Sequence, residues 1–406
     1  MSNAPWESRP LGSLVSFEYG KGLPAESRTN QGYPVLGSSG VVGHHSDFLV
    51  EGPGIVIGRK GTVGAITWVD MNFWPIDTTY YVESKQSLDI RWLYWKLQTL
   101  GLNQLDSSTG VPGLNRNDTY GFSIEIPEKQ EQHRVAEILD TLDDAIQKTE
   151  QLIAKLQQIK QGLLHDLLTR GIDENGQLRD PIARPEQFKD SVLGRMPKEW
   201  DVRPLVELAE IRSGIAKNAK KAVQSPIDVH YLRVANVQDG YLDLSEMSKI
   251  TISKDELERY AVLPGDVLMN EGGDLDKLGR GALWNGEYSP CIHQNHVFVI
   301  RCKSGLMPRY LDMWTGSQPA RGYFMTAGKQ TTNLASINKT ALGQLPVAVA
   351  SYEEQERIVS MLSAMELRIN RDAGMLSKYQ ALKQGLMHDL LTGKVRVTTT
   401  QGVAHV

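Results

Sequence analysis

Apolar residues recur every three or four positions along two long stretches, and the stretches are copies of each other. Residues 131–169, EQHRVAEILDTLDDAIQKTEQLIAKLQQIKQGLLHDLLT, return without a gap at 354–392 as EQERIVSMLSAMELRINRDAGMLSKYQALKQGLMHDLLT. Steps of four and three from Val135 visit Leu139, Leu142, Ile146, Thr149, Ile153, Leu156, Lys160, Leu163 and Leu167. The same steps from Ile358 visit Leu362, Met365, Ile369, Asp372, Leu376, Tyr379, Lys383, Leu386 and Leu390. This is a heptad-type seam, and its polar interruptions fall at matching places. Each copy predicts a helical rod of about 58 Å, at roughly 1.5 Å per residue. A lone rod cannot bury its seam, so the two are expected to pack on each other as an antiparallel coiled coil. Ser351 followed by Glu354 fits a capping box, Pro127 suits a first helical position, and Gly171 and Gly393 stand where a left-handed cap favours glycine.

Outside the rods the period shortens. Residues 54–58 (GIVIG) and 78–82 (TTYYV) read as short strands, and 90–100 (IRWLYWKLQTL) as a helix. The scheme repeats with strands at 267–270 and 297–300 and a helix near 309–315. The repeat also reaches the start of each lobe: Trp6, Arg9, Pro10, Leu11 and Leu14 recur as Trp200, Arg203, Pro204, Leu205 and Leu208, and Gly20 as Gly214. The expected fold is therefore α+β, with two similar globular lobes joined by two long helices in a pseudo-two-fold arrangement. The expected segments are a first lobe at 1–126, a helix at 127–170, an extended linker at 171–200, a second lobe at 201–350, a helix at 351–393 and a flexible tail at 394–406. The linker reading rests on a polar stretch with Pro181, Pro185 and Pro197.

Composition narrows the class. With 40% hydrophobic and 23% charged residues over 406 positions, the chain reads as an ordinary globular protein of two or three domains. It has no apolar run of membrane-spanning length, and its opening residues lack a signal-peptide core. Cys291 and Cys302 are the only cysteines. Together these predict a cytoplasmic protein with reduced thiols. The formal net charge of −4 is unlike that of a free-standing nucleic-acid binder, so local patches or partners would have to meet phosphates.

The search for catalytic motifs returns little. Nucleotide-binding loops, zinc-ligand sets and the Asn/Asp-Pro-Pro-aromatic motif of amino-nitrogen methyltransferases are all missing from the sequence. His293 with His296 lacks further ligands, Asp77 with Glu83 and Lys85 echoes a nuclease triad only faintly, and His165-Asp166 and His388-Asp389 have no nucleophile beside them. The expectation is a chain without catalysis, cofactor or metal. Cationic and amide-bearing loops are more informative. In the first lobe they hold Lys21, Arg59, Lys60, Thr62, Asn115 and Arg116. In the second they hold Lys217, Lys220, Lys221, Arg233, Asn236, Lys329, Gln330 and Asn333. Glycine lets backbone approach closely, Arg and Lys meet phosphates or guanine edges, and amides suit adenine.

Three stretches carry a family resemblance. They are Phe188-Lys189-Asp190-Ser191-x-x-Gly194-x-x-Pro197-x-x-Trp200, then Gly58-Arg59-Lys60-Gly61-Thr62-x-Gly64 followed by Trp74-Pro75-Ile76-Asp77-Thr78, then Pro127-x-x-x-x-Gln132-x-Arg134 with its echo Glu354-Gln355-x-Arg357-Ile358. The chain resembles the specificity subunits of type I restriction–modification systems. That resemblance implies two target-recognition domains, each reading half of a split, asymmetric double-stranded DNA target, with the helices setting the gap. It also implies two methyltransferase subunits docked on the helices, motor-endonuclease subunits completing the complex, and no catalysis in this chain. The first lobe departs by starting almost at Trp6, without the Phe-Lys-Asp-Ser opening. A coiled-coil scaffold that binds only protein is the alternative.

Overall fold

The computed structural model describes residues 6–105, 113–216, 225–273, 278–330 and 335–397. It divides into two compact units, one of Met1–Leu152 with Asp372–Val406, the other of Ile153–Arg371. The two long helices, Lys129–Thr169 and Tyr352–Leu391, each contribute one part to each unit.

In the first unit a four-stranded antiparallel sheet runs in the order Val15–Tyr19, Thr79–Ser84, Gly54–Gly58, Ile66–Val69. Gly54–Gly58 is buried at every position, as its unbroken apolar run requires. A three-stranded sheet runs Gly40–His45, Tyr33–Gly37, Trp74–Pro75, its last pair parallel. Glu7–Pro10 pairs with Ser123–Ile126. The helix Ile90–Gln98 is capped by Asp89, whose carboxylate accepts from the Arg91 and Trp92 amides at 2.9 Å. It buries Trp92, Leu93, Trp95 and Leu97 against Leu11, Phe17, Ile57, Val135, Leu139 and Leu390.

The second unit repeats this plan. Its four-stranded sheet runs Ala209–Ser213, Val297–Cys302, Val267–Asn270, Gly281–Leu283. The three-stranded sheet runs Ser248–Ile252, Ile227–Leu232, Cys291–His293, again with a parallel last pair. Asp201–Pro204 pairs with Pro346–Val349, and a small extra sheet joins Gly272–Gly273, Ala335–Ser336 and Lys329–Gln330.

The long helices pack antiparallel within each unit, as the seam predicts. In the first unit Lys383 pairs with Asp143, and in the second Lys160 pairs with Glu366 at 2.9 Å. The two lysines that interrupt the seams thus serve as cross-helix ion pairs. Both helices end at a glycine in the left-handed region, Gly171 at φ +62° and Gly393 at φ +70°.

Four expectations need correction. The Ser351 cap is only half a box: its hydroxyl accepts from the Glu354 amide at 3.2 Å, but the Glu354 carboxylate turns inward to other donors. The first helix begins at Lys129, and Pro127 instead gives its carbonyl to the Gln132 side chain at 2.8 Å. The 171–200 linker is not merely extended. It carries the hairpin Phe188–Ser191/Gly194–Pro197 and sends Ile172, Met196 and Trp200 into the core, where their apolar area outweighs the polar composition around them. The tail is docked as far as Val397, because Arg396 and the Val397 amide bind Glu131. Residues 398–406 lie outside the described residues.

Candidate nucleic-acid interface

One end of the first lobe gathers its cationic loops. The apolar run of the central strand stops at Gly58, and the chain closes a tight loop there. The Gly58 amide donates to Ala65 O and the Gly64 amide to Gly58 O, both at 2.8 Å. A Cβ on Gly58 would lie 2.1 Å from Thr62 O, so only glycine fits. The Arg59 and Lys60 amides both donate to Thr78 O at 2.9 and 3.1 Å, and the Leu114 amide donates to Arg59 O at 2.8 Å. The 58–64 loop, the strand start at Thr79 and the 113–117 segment therefore meet.

Tyr19, at the end of its strand, is 49% exposed and stands among these groups. The Arg59 guanidinium lies 4.8 Å from its ring centroid and 5.8 Å from that of Tyr80, and donates to Asp77 O at 3.3 Å. The Arg116 guanidinium lies 4.9 Å from the Tyr19 ring and donates to Phe17 O at 2.7 Å. Burial holds the Tyr80 hydroxyl above its usual range, with Tyr19 adding to the shift and Arg59 opposing it. Lys21 is exposed, its Nζ 6.0 Å from the Trp74 ring, while Trp74 Nε1 donates to Lys21 O at 2.9 Å. Lys60 and Thr62 are exposed, and the Thr62 amide donates to Ser38 Oγ at 3.4 Å. Asn115 serves first as a helix cap, its side-chain oxygen accepting from the Asn117 amide at 3.1 Å.

The second-lobe candidates are less coherent. Lys217, Lys220, Lys221 and Asn333 lie outside the described residues. Asn236 leaves the candidate set: it is buried, accepts from the Arg233 amide at 2.9 Å, and donates to Asp243 O and Glu246 O. Arg233 is half-buried, with Nη2 donating to Glu246 O at 3.0 Å. Lys329 is exposed beside Gln330 in the small extra sheet. His293 and His296 occupy unlike settings. His293 is buried against Val297 O and pushed down to about 4 by burial, whereas His296 is exposed and 2.7 Å from Glu271 Oε2. In the first lobe Lys85 donates to Gly12 O at 2.8 Å, facing backbone rather than a reaction centre.

Strand register aligns the two lobes residue by residue. Tyr19 pairs with Tyr80 and Tyr80 with Ile57; Ser213 pairs with Phe298 and Phe298 with Met269. Tyr19 and Arg59 in the first lobe thus correspond to Ser213 and Glu271 in the second. The same scaffold end presents different chemistry in each lobe.

Residues 3–158 match the family described as type I restriction modification DNA specificity domain. Over those residues the chain carries a domain of this specificity family. Relatives of the family cover more of it. The MjaVIII specificity subunit of Methanocaldococcus jannaschii is 24% identical over 84% of this chain and 76% of that protein. The putative MjaX specificity subunit of the same organism is 26% identical over 52% of this chain, which spans about half (49%) of that relative's length. The crystal structure of a type I restriction–modification S subunit from M. genitalium aligns over 96% of this chain and 97% of its own, with TM-score 0.63 at 15% identity, showing the same fold.

Two buried motifs shared by both halves of the chain escaped sequence reasoning as functional groups of the fold. Glu131 accepts from Trp6 Nε1 (3.2 Å), Arg396 (2.8 Å) and the Val397 amide (3.0 Å). Glu354 accepts from Trp200 Nε1 (3.0 Å), Arg179 (2.5 Å) and the Ile172 amide (2.8 Å). The neighbouring Gln132 and Gln355 bind the start of each lobe helix, accepting from the Asp89 and Met307 amides at 2.8 and 2.9 Å. The repeated Glu-Gln pair and repeated Trp were visible signals; what hid the link was their distance in sequence. Tyr19 was missed because one aromatic in an alternating strand reads as packing.

Proposed function

We propose that this chain is the DNA sequence-specificity subunit of a type I restriction–modification complex, itself without catalysis. The observation that carries this reading is the duplicated lobe whose equivalent positions hold different polar groups, Tyr19 and Arg59 against Ser213 and Glu271. Two readers on one plan, with different chemistry at the same place, suit a bipartite target with unlike halves. Residues 1–126 and 201–350 act as the target-recognition domains, and the helices carry the spacing between half-sites. Methylase and restriction subunits are the partners, two methyltransferase subunits docking along the helices and supplying S-adenosylmethionine chemistry on adenine. Partners that meet phosphates reconcile DNA binding with the net charge of −4.

The test is co-expression with the methyltransferase subunit, followed by mapping of methylated adenines across the host genome. The expected result is methylation at a split, asymmetric motif with a constant gap. A stable complex that leaves DNA unmethylated and unbound would favour the protein-only scaffold.

A further inference from the structure

We infer that Tyr19, Arg59 and Arg116 form a clamp for one DNA backbone phosphate at the end of the first lobe, a sequence-independent grip distinct from base reading. The inference rests on the proposed specificity function and assigns a role within that site. Two guanidinium groups sit within 5 Å of a single, half-exposed phenol ring. Among the described residues, neither is paired with a carboxylate, although the chain as a whole is acidic. An uncompensated pair of cations at a surface is a site for an anion.

The way the two side chains are held decides between phosphate and base. A base-reading arginine must project freely to present two parallel N–H groups to a guanine edge in the major groove. Here each guanidinium is tied back: Arg59 to Asp77 O at 3.3 Å and to two aromatic faces, Arg116 to Phe17 O at 2.7 Å and to the Tyr19 ring. Held against the lobe, each keeps further N–H donors for an approaching oxygen but lacks the reach to enter a groove. Preorganised donors suit a phosphodiester, whose position along a duplex does not depend on sequence. Exposed Lys60 and Thr62, on the loop just beyond, are the groups left free to reach a base edge.

The corresponding place in the second lobe supports the division. Ser213 replaces Tyr19, and Glu271, engaged with His296 at 2.7 Å, replaces Arg59. The cavity that Ser213 lines holds one guanidinium–aromatic contact, Arg259 over Tyr260 at 5.4 Å, so among the described residues two guanidinium groups on one exposed ring occur only in the first lobe.

The experiment uses the full chain co-purified with its methyltransferase subunit. Binding is measured over a range of salt concentrations, on a duplex holding the mapped target and on a scrambled duplex. Arg116→Gln is expected to weaken both duplexes by the same factor. The slope of log K against log salt should become less negative by about 0.9, the loss of one phosphate contact. The methylated motif should stay unchanged. Arg116→Lys keeps the charge and should keep the slope, which also guards against a variant that merely misfolds. A motif relaxed at one position in Arg59→Gln or Arg116→Gln would overturn the clamp in favour of base reading. Unchanged affinity and slope in a folded variant would reduce the stack to a structural contact. If the wild-type complex neither binds nor methylates DNA, the specificity function itself fails, an outcome distinct from either.

Discussion

Glu354 and Glu131 do the same work at different depths. Glu354 and its partner Arg179 are both almost wholly buried, with side chains 4% and 10% exposed. Removing Glu354 leaves the buried Arg179 only the exposed Glu199 as a carboxylate partner, at 3.4 Å, so Glu354→Ala is expected to cost about 3 kcal/mol in denaturant unfolding. At Glu131 the partner Arg396 is 35% exposed, and solvent screens the pair, so Glu131→Ala is expected to cost less. Burial pulls the Glu131 carboxyl upward, yet Arg396, the Val397 amide and the Trp6 indole together hold it below the usual carboxylate range. Its contribution is therefore present at neutral pH and lost as pH falls through the lowered value. Asp312 shows the opposite sign. Burial pushes its carboxyl up to about 6 against the pull of Arg309, with Glu366 nearby adding to the rise. The folded protein then holds the proton more tightly than the unfolded chain, and stability from this group drains away as pH rises from about 4 to about 6. Asp312→Asn is expected to gain on the wild type across that window in parallel urea titrations. A difference independent of pH would contradict it. None of these roles was legible in advance, because a sequence does not say which carboxylate turns inward. For the same reason Asn236 passed for a recognition amide until its three hydrogen bonds within its own turn were seen.

Among the elements, legibility followed the strength of the local signal. The strands Gly54–Gly58 and Val267–Asn270 are unbroken apolar runs stopped by turn residues, and they lie where the pattern puts them. The long helices were legible from their period and glycine ends. The hairpin Phe188–Ser191/Gly194–Pro197 was not, because its apolar members are scattered among charges and prolines and gain their meaning only on the core. The seam lysines were visible as matched polar interruptions, and the structure gives them partners: Lys160 meets Glu366, and Lys383 meets Asp143 while lying 4.7 Å from the Trp95 ring. Polar groups in a coiled-coil seam lower stability while fixing alignment. Replacing both lysines with leucine is accordingly expected to raise the melting temperature and to broaden the assembly states seen by light scattering. A uniform species with a lowered melting temperature would mean that the ion pairs stabilise the helices outright.

For the molecule as a whole, duplication was legible before any fold was known, since it is written in aligned letters. What each lobe reads is not, because recognition resides in loops whose conformation depends on residues far along the chain. Arg59, for example, is positioned through Thr78 and Leu114. The proposed role of the helices as a spacer has a direct test. Removing one heptad from each rod is expected to change the gap in the methylated motif while leaving both half-site sequences as they were. A motif with its original gap would end the spacer reading.

The division of the chain also has a consequence in time. Ile153–Arg371 is one uninterrupted segment, so the second unit has all its residues once the ribosome has passed Arg371. The first unit draws Leu390, Leu391 and Arg396 into its core and onto Glu131. Domains generally fold as units while synthesis proceeds. The lobe made first must therefore wait, partly open, for residues 390–396 to emerge, and it is completed after the lobe that was begun later.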